Sequence, residues 1–151
     1  MAYYADLSVC DFGGSVSGRL VAVGWLDPAQ PFSRGRVSKE FFLGLVQLLV
    51  DPWQPVVTAG RQRCPFCRFS GGPADLTYES TTVRVGSANL FVPTNEAVFV
   101  SPSLIVHYID AHEYAPPLEF QEAVHRCPGM RTAAYLRSVR EHGLHKLGQG
   151  S

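Results

Sequence analysis

The sequence predicts an α+β fold: a small antiparallel sheet, one buried helix in the N-terminal half, and a C-terminal helical portion. Three observations predict it. From Phe41 to Val50 apolar residues recur at helical spacing. From Leu76 to Val100 β-branched and aromatic residues dominate, broken by turn residues. After Ser101, prolines and a glycine divide the rest into three helical stretches.

The elements follow in order. Gly13-Gly14 and Gly18 among Ser and Asp make residues 1–19 mostly loop. Leu20–Leu26 is short, apolar and partly β-branched, a strand ending at Asp27-Pro28. A turn-rich connection leads to Ser38, an N-cap, with Glu40 in the first turn where the helix dipole favours negative charge. Phe41, Phe42, Leu45, Leu48 and Leu49 form an apolar stripe, and Leu43, Val46 and Val50 widen it almost all round, as in a buried helix. It stops at Asp51-Pro52, because the residue before proline is pushed out of the helical region.

Pro55–Thr58 reads as a short strand. Thr77, Tyr78, Thr81, Thr82, Val83 and Val85 read as one longer strand, Leu90–Val92 as a second and Ala97–Val100 as a third. Gly86-Ser87 and Pro93-Thr94-Asn95 supply turns. Ser101-Pro102 reads as a serine cap with proline at the first helical position, opening a helix to about His112. Pro116-Pro117 separates it from a helix over Leu118–His125, which Cys127-Pro128-Gly129 ends. A last helix, Met130–His142, turns Ala133, Ala134, Leu136 and Val139 inward and Arg131, Arg137 and Arg140 to solvent.

With 151 residues the chain suits one domain, expected over 1–143, with a flexible tail over 144–151. Apolar residues are 46% and charged residues 17%, which excludes a disordered chain. Thirteen basic and 13 acidic side chains cancel, so no global field draws in nucleic acid or an anionic membrane. No apolar run is long enough for a transmembrane helix, and the first residues lack the basic and apolar regions of a signal peptide. The expected location is cytoplasmic.

In a reducing compartment a close cysteine pair points to metal or redox chemistry. Cys64-Pro65-Phe66-Cys67 is such a pair, flanked by Arg61, Arg63 and Arg68, whose charge favours thiolates. His107 and His112, with four residues between them, fall within the histidine spacing of zinc sites. The expected cofactor is therefore Zn2+, held by Cys64, Cys67, His107 and His112. Five residues along an ideal helix rotate a side chain about 140° off the first face, which places His112 at the helix end. The stretch between Cys67 and His107 far exceeds the roughly 12–15 residues of a DNA-reading finger, so the site would instead clamp a knuckle to a helix. Asp110 and Glu113 are candidates to orient a ligand imidazole.

Plainer readings stand beside this one. Cys64 and Cys67 can be buried thiols or a redox pair, and His107 a core histidine. Cys10, His125 and Cys127 make a rival ligand set, though His-x-Cys is not a recurrent zinc spacing. If one ligand were missing, Glu113 could serve as general base to a metal-bound water. The basic group Arg131, Arg137, Arg140 and Lys146 reads as a solvated face, or as a surface for an acidic partner. Phe66 and Trp53 are as readily interface as core.

Tyr4-Ala5-Asp6-Leu7-Ser8, Gly24-Trp25-Leu26, the Cys-x-x-Cys pair, and His107-Tyr108 to His112 followed by Pro116-Pro117-x-x-Phe120 resemble an uncharacterised family, a domain of unknown function. That family consists of small, mainly actinobacterial and other high-GC bacterial proteins. The resemblance covers about residues 3–126 and implies that the Cys and His positions belong to one pattern. It implies no activity.

Four ligands close a zinc shell, and a closed shell is structural. The sequence has no Gly-x-Ser-x-Gly, His-Glu-x-x-His or phosphate-binding glycine loop. The expectation is a small zinc-binding protein with a non-enzymatic accessory role, of immunity or regulatory type, whose partner is another protein. The alternatives are a small zinc-dependent enzyme and, more weakly, a nucleic-acid-binding module.

Overall fold

The computed structural model describes residues 3–10, 18–55 and 60–147. The Gly13-Gly14 loop, all but the first residue of the expected strand at 55–58, and residues 148–151 lie outside them. The fold is α+β. β1 (Leu20–Ala22) precedes α1 (Lys39–Leu48); then come β2 (Asp75–Tyr78), β3 (Thr81–Arg84), β4 (Asn89–Pro93) and β5 (Val98–Pro102). Three helices follow: α2 (Ile105–His112), α3 (Leu118–Arg126) and α4 (Ala133–Glu141), with a 3-10 turn over Leu144–Lys146.

The sheet order is β1-β5-β4, with β4 and β5 antiparallel and β1 parallel to β5, so this sheet is mixed rather than purely antiparallel. The parallel pairing is reached through a crossover that contains α1, as parallel strands require. β2 and β3 form a separate antiparallel hairpin. The single strand expected over 77–85 is this hairpin. Its turn, Glu79-Ser80, takes positive φ at both residues without glycine or asparagine, so the usual turn signal is missing from the sequence.

Period-two alternation lets the three-stranded sheet serve two cores. Leu90 and Val92 of β4 face the larger core with α1, α2 and α3. Phe91 faces the smaller core, with Leu20, Ala22, Val98, Val100, Tyr135 and Val139. The helix at Ser38 forms as its sequence predicts. The Ser38 hydroxyl accepts from the Phe41 N–H at 3.1 Å, and Phe41, Phe42, Leu45, Val46 and Leu48 are buried. Leu45 is fully enclosed, and truncating such a leucine to alanine costs about 2–5 kcal/mol.

Two helix readings change. Ser101 and Pro102 end β5, pairing with Leu90 and Asn89, and α2 begins only at Ile105, with no side-chain cap. β1 stops at Ala22, opposite Val100, so the missing N–H of Pro102 interrupts no bond to that strand. In α4 the buried stripe is Tyr135 and Val139, four residues apart, while Ala133, Ala134 and Leu136 are exposed. The Tyr135 hydroxyl donates to the Phe91 carbonyl at 2.7 Å, a bond that a purely apolar reading of the helix overlooks. Leu144 and Leu147, expected in a tail, are buried in the smaller core. Among the described residues no helix is long and apolar enough to cross a membrane.

Candidate metal centre

The knuckle is a tight loop tied by its own backbone. The Cys67 N–H donates to the Cys64 carbonyl at 3.3 Å, the Gly71 N–H to the Cys67 carbonyl at 2.8 Å, and the Cys64 N–H to the Gly71 carbonyl at 2.7 Å. Gly71 and Gly72 both take positive φ, which lets the chain fold back under the sulfurs. A Cβ on Gly72 would lie 3.0 Å from Cys64 Cβ and 3.4 Å from His107 Nε2. Glycine at 72 therefore leaves room for the Cys64 and His107 side chains.

α2 supplies the other half. His107 lies in its first turn and is buried; His112 is its last residue, before Glu113 turns left-handed at φ 58°. That cap directs the chain away just after the second imidazole, and the two rings stand nearly perpendicular with centroids 5.0 Å apart. Phe66, from the middle of the knuckle, packs on His112 at 5.1 Å, on Tyr108 at 5.8 Å and on Phe32 at 5.5 Å. Phe66 is thus part of the packing between knuckle and helix. Trp53 packs on Phe91 at 5.7 Å beside Tyr135.

The ligand atoms of Cys64, Cys67, His107 and His112 all lie within 4.8 Å of one another, the one such cluster among the described residues. Cys67 Sγ is 3.4 Å from His107 Nε2 and 3.6 Å from His112 Nε2; Cys64 Sγ is 3.5 Å from His112 Nε2. A ring nitrogen carries one proton or one lone pair, so His112 Nε2 cannot satisfy two sulfurs by hydrogen bonding. Four donors converging on one point are positioned to bind a metal ion.

Burial raises the Cys64 thiol to about 11 and is the main reason that both imidazoles are less basic than usual. The charge of His112 further depresses His107, against an opposing effect of Asp110, and Arg34 further depresses His112. Neutral imidazoles are the form that a metal takes, whereas the Cys64 proton must leave as the ion binds.

The remaining candidates sit elsewhere. Asp110 is exposed and acts on His107 through space, with no hydrogen bond to either imidazole among the described residues. Glu113 points outward with its side chain 80% exposed, 3.9 Å from Arg34. Cys10 lies in the smaller core, His125 is exposed, and Cys127 bonds to the Pro128 carbonyl, so these three do not assemble. Arg131, from the basic group, pairs with Asp51 at 2.9 Å.

The N-terminal motif Tyr4–Ser8 has a structural role here. Asp6 accepts from the Gly24 N–H at 2.9 Å and from the Tyr114 hydroxyl at 2.7 Å, while Tyr4 packs edge-on to Trp25. Asp6 thereby ties the N-terminal segment to the end of α2, just past His112. Residues 2–125 match the family described as a Domain of unknown function, DUF7919. The chain belongs to this family. The match spans the knuckle, both histidines and Asp6, and ends before α4. No curated protein and no solved structure matches the chain.

Proposed function

We propose that this DUF7919 protein holds one zinc ion as a structural clamp and acts, without catalysing a reaction, by binding another protein in the cytoplasm. One observation carries the zinc reading: the three sulfur-to-nitrogen distances of 3.4, 3.5 and 3.6 Å. Bonds of roughly 2.3 Å to sulfur and 2.0–2.1 Å to nitrogen at tetrahedral angles put S and N about 3.5–3.6 Å apart. Two thiolates with two imidazoles also form the ligand class that zinc prefers. No disulfide joins any of Cys10, Cys64, Cys67 and Cys127 among the described residues, which suits a reducing compartment.

Four protein ligands fill a tetrahedron and leave no position for a reacting water, and such closed sites are structural. The carboxylate closest in sequence, Glu113, turns to solvent, which argues against a general base beside the metal. The clamp would join a knuckle that has no regular secondary structure to the helix packed under the sheet. Binding the ion, the chain's own residues would fix Gly60–Gly72 against α2, and a fixed loop loses less entropy when a partner docks.

Metal analysis of the purified chain tests this reading. About one zinc per chain is expected, lost on replacing His112 with alanine. A folded wild-type chain that takes up no zinc would overturn it.

A further inference from the structure

The knuckle presents a surface that the clamp itself does not need. Phe69, two residues after Cys67, is 102% exposed, the most exposed large apolar side chain among the described residues. Arg61, Arg63 and Arg68 precede it in the same loop, and no acidic residue occurs between Gly60 and Ala74. None of these arginines forms an ion pair among the described residues. Arg61 instead bonds to the Gly71 and Gly72 carbonyls at 3.3 and 3.1 Å, bracing the loop, and the stem of Arg63 lies against Gly71. The loop therefore exposes an aromatic ring together with three arginines and no acidic residue, and it is held by its own backbone bonds and, in the reading above, by the four ligands.

We propose that this loop docks onto an acidic protein face, with Phe69 entering an apolar recess and Arg63 and Arg68 meeting carboxylates around it. This rests on the reading above of a zinc-fixed, partner-binding chain. Aromatic and arginine side chains are the residues that dominate protein interfaces. Three uncompensated guanidinium groups specify the sign of the partner's charge. Single-stranded nucleic acid fits less well. Such platforms stack successive bases on several rings along a basic groove. Here one ring projects outward, on a chain whose 13 basic and 13 acidic residues cancel.

The test uses the 15N-labelled, zinc-loaded full chain and three probes: a peptide of alternating Asp and Glu around a central Leu-Leu, the same peptide with lysine for each acid, and a short oligothymidylate. The acidic peptide is expected to shift the amide signals of residues 61–70, and the lysine peptide is not. Phe69→Ala should weaken the acidic peptide roughly tenfold with zinc content and melting temperature unchanged, and Arg68→Glu, compared with the wild type at matched zinc content, should abolish its binding. Acidic-peptide shifts elsewhere, or indifference to both variants, would overturn the proposal. So would tighter binding of oligothymidylate at physiological salt, or concentration-dependent shifts in the loop without any probe, which would mark a second copy as the occupant. Zinc content is read in the same samples, so a failed docking surface is distinguished from a failed metal site.

Discussion

Replacing His112 with alanine removes one of four donors, and with it the reason for the knuckle to stay on α2. A structural ion stabilises the native state by about 2.7 kcal/mol when free zinc is 100 times its dissociation constant and by about 4.1 at 1,000 times. For a chain of this size each kcal/mol moves the melting temperature by roughly 2–4 °C. The variant should therefore melt about 5–16 °C lower than the zinc-loaded wild type across that range of zinc excess. The loss should be uneven. The larger core retains α1, α3 and the sheet, and the smaller core contains no ligand. The knuckle is held by a handful of backbone bonds and, with the ion bound as proposed, by Cys64, Cys67, His107 and His112. Differential scanning calorimetry with and without chelator measures the shift, and hydrogen exchange locates it in residues 60–74 and the end of α2. A chelator that leaves the wild-type melting temperature and the exchange of residues 60–74 unchanged would refute the reasoning.

Gly72→Ala keeps every ligand but puts a Cβ against Cys64 and His107 at a residue with φ 84°. It should weaken zinc binding about tenfold or more while costing on the order of 1–3 kcal/mol in strain, as zinc competition with a chromophoric chelator can show. Acidification should release the metal. The metal-free imidazoles of His107 and His112 are depressed below their ordinary 6.5, so their stabilising contribution is complete above that pH and is lost as pH falls through the depressed values. Protons and metal compete for the same nitrogens, so zinc content and stability should fall together as the pH drops below the ordinary imidazole value of 6.5. Cys64, raised from 9.0 to about 11, acts in the opposite sense and only at alkaline pH. Tyr135→Phe leaves the Phe91 carbonyl without its buried donor and should cost about 1–3 kcal/mol in urea unfolding.

The convergence of Cys64, Cys67, His107 and His112 was legible because metal chemistry restricts residue type and spacing so tightly that two short motifs point to it, even across an intervening hairpin. The buried helix was legible because its cap and stripe are local. What the sequence concealed depends on distant neighbours. Ser101-Pro102 has the local grammar of a helix start, yet pairing with β4 claims both residues for the sheet. Ala133, Ala134 and Leu136 look like a core stripe, but the sheet meets the face that bears Tyr135 and Val139. Phe69 carries no signal at all: its sequence neighbourhood resembles that of Phe66, which packs on Tyr108, while Phe69 faces water.

The family match ends at residue 125, and the architecture shows what lies beyond it. Leu20, Ala22, Phe91, Val98 and Val100 form one face of the sheet, each no more than 6% exposed. Helix α4 and the turn after it cover that face with Tyr135, Val139, Leu144 and Leu147. The candidate metal centre lies on the other side of the sheet, where Cys64 and Cys67 pack with the larger core. A chain cut after Arg126 would keep all four ligands but expose the second face, and contiguous apolar patches of that kind drive association. Such a truncation should still bind zinc on refolding yet aggregate, as light scattering would show. A soluble, monomeric truncation would mean that the smaller core is dispensable and that α4 is an appendage. The expected aggregation would instead make the cover of the second sheet face a requirement of the fold, separate from the clamp.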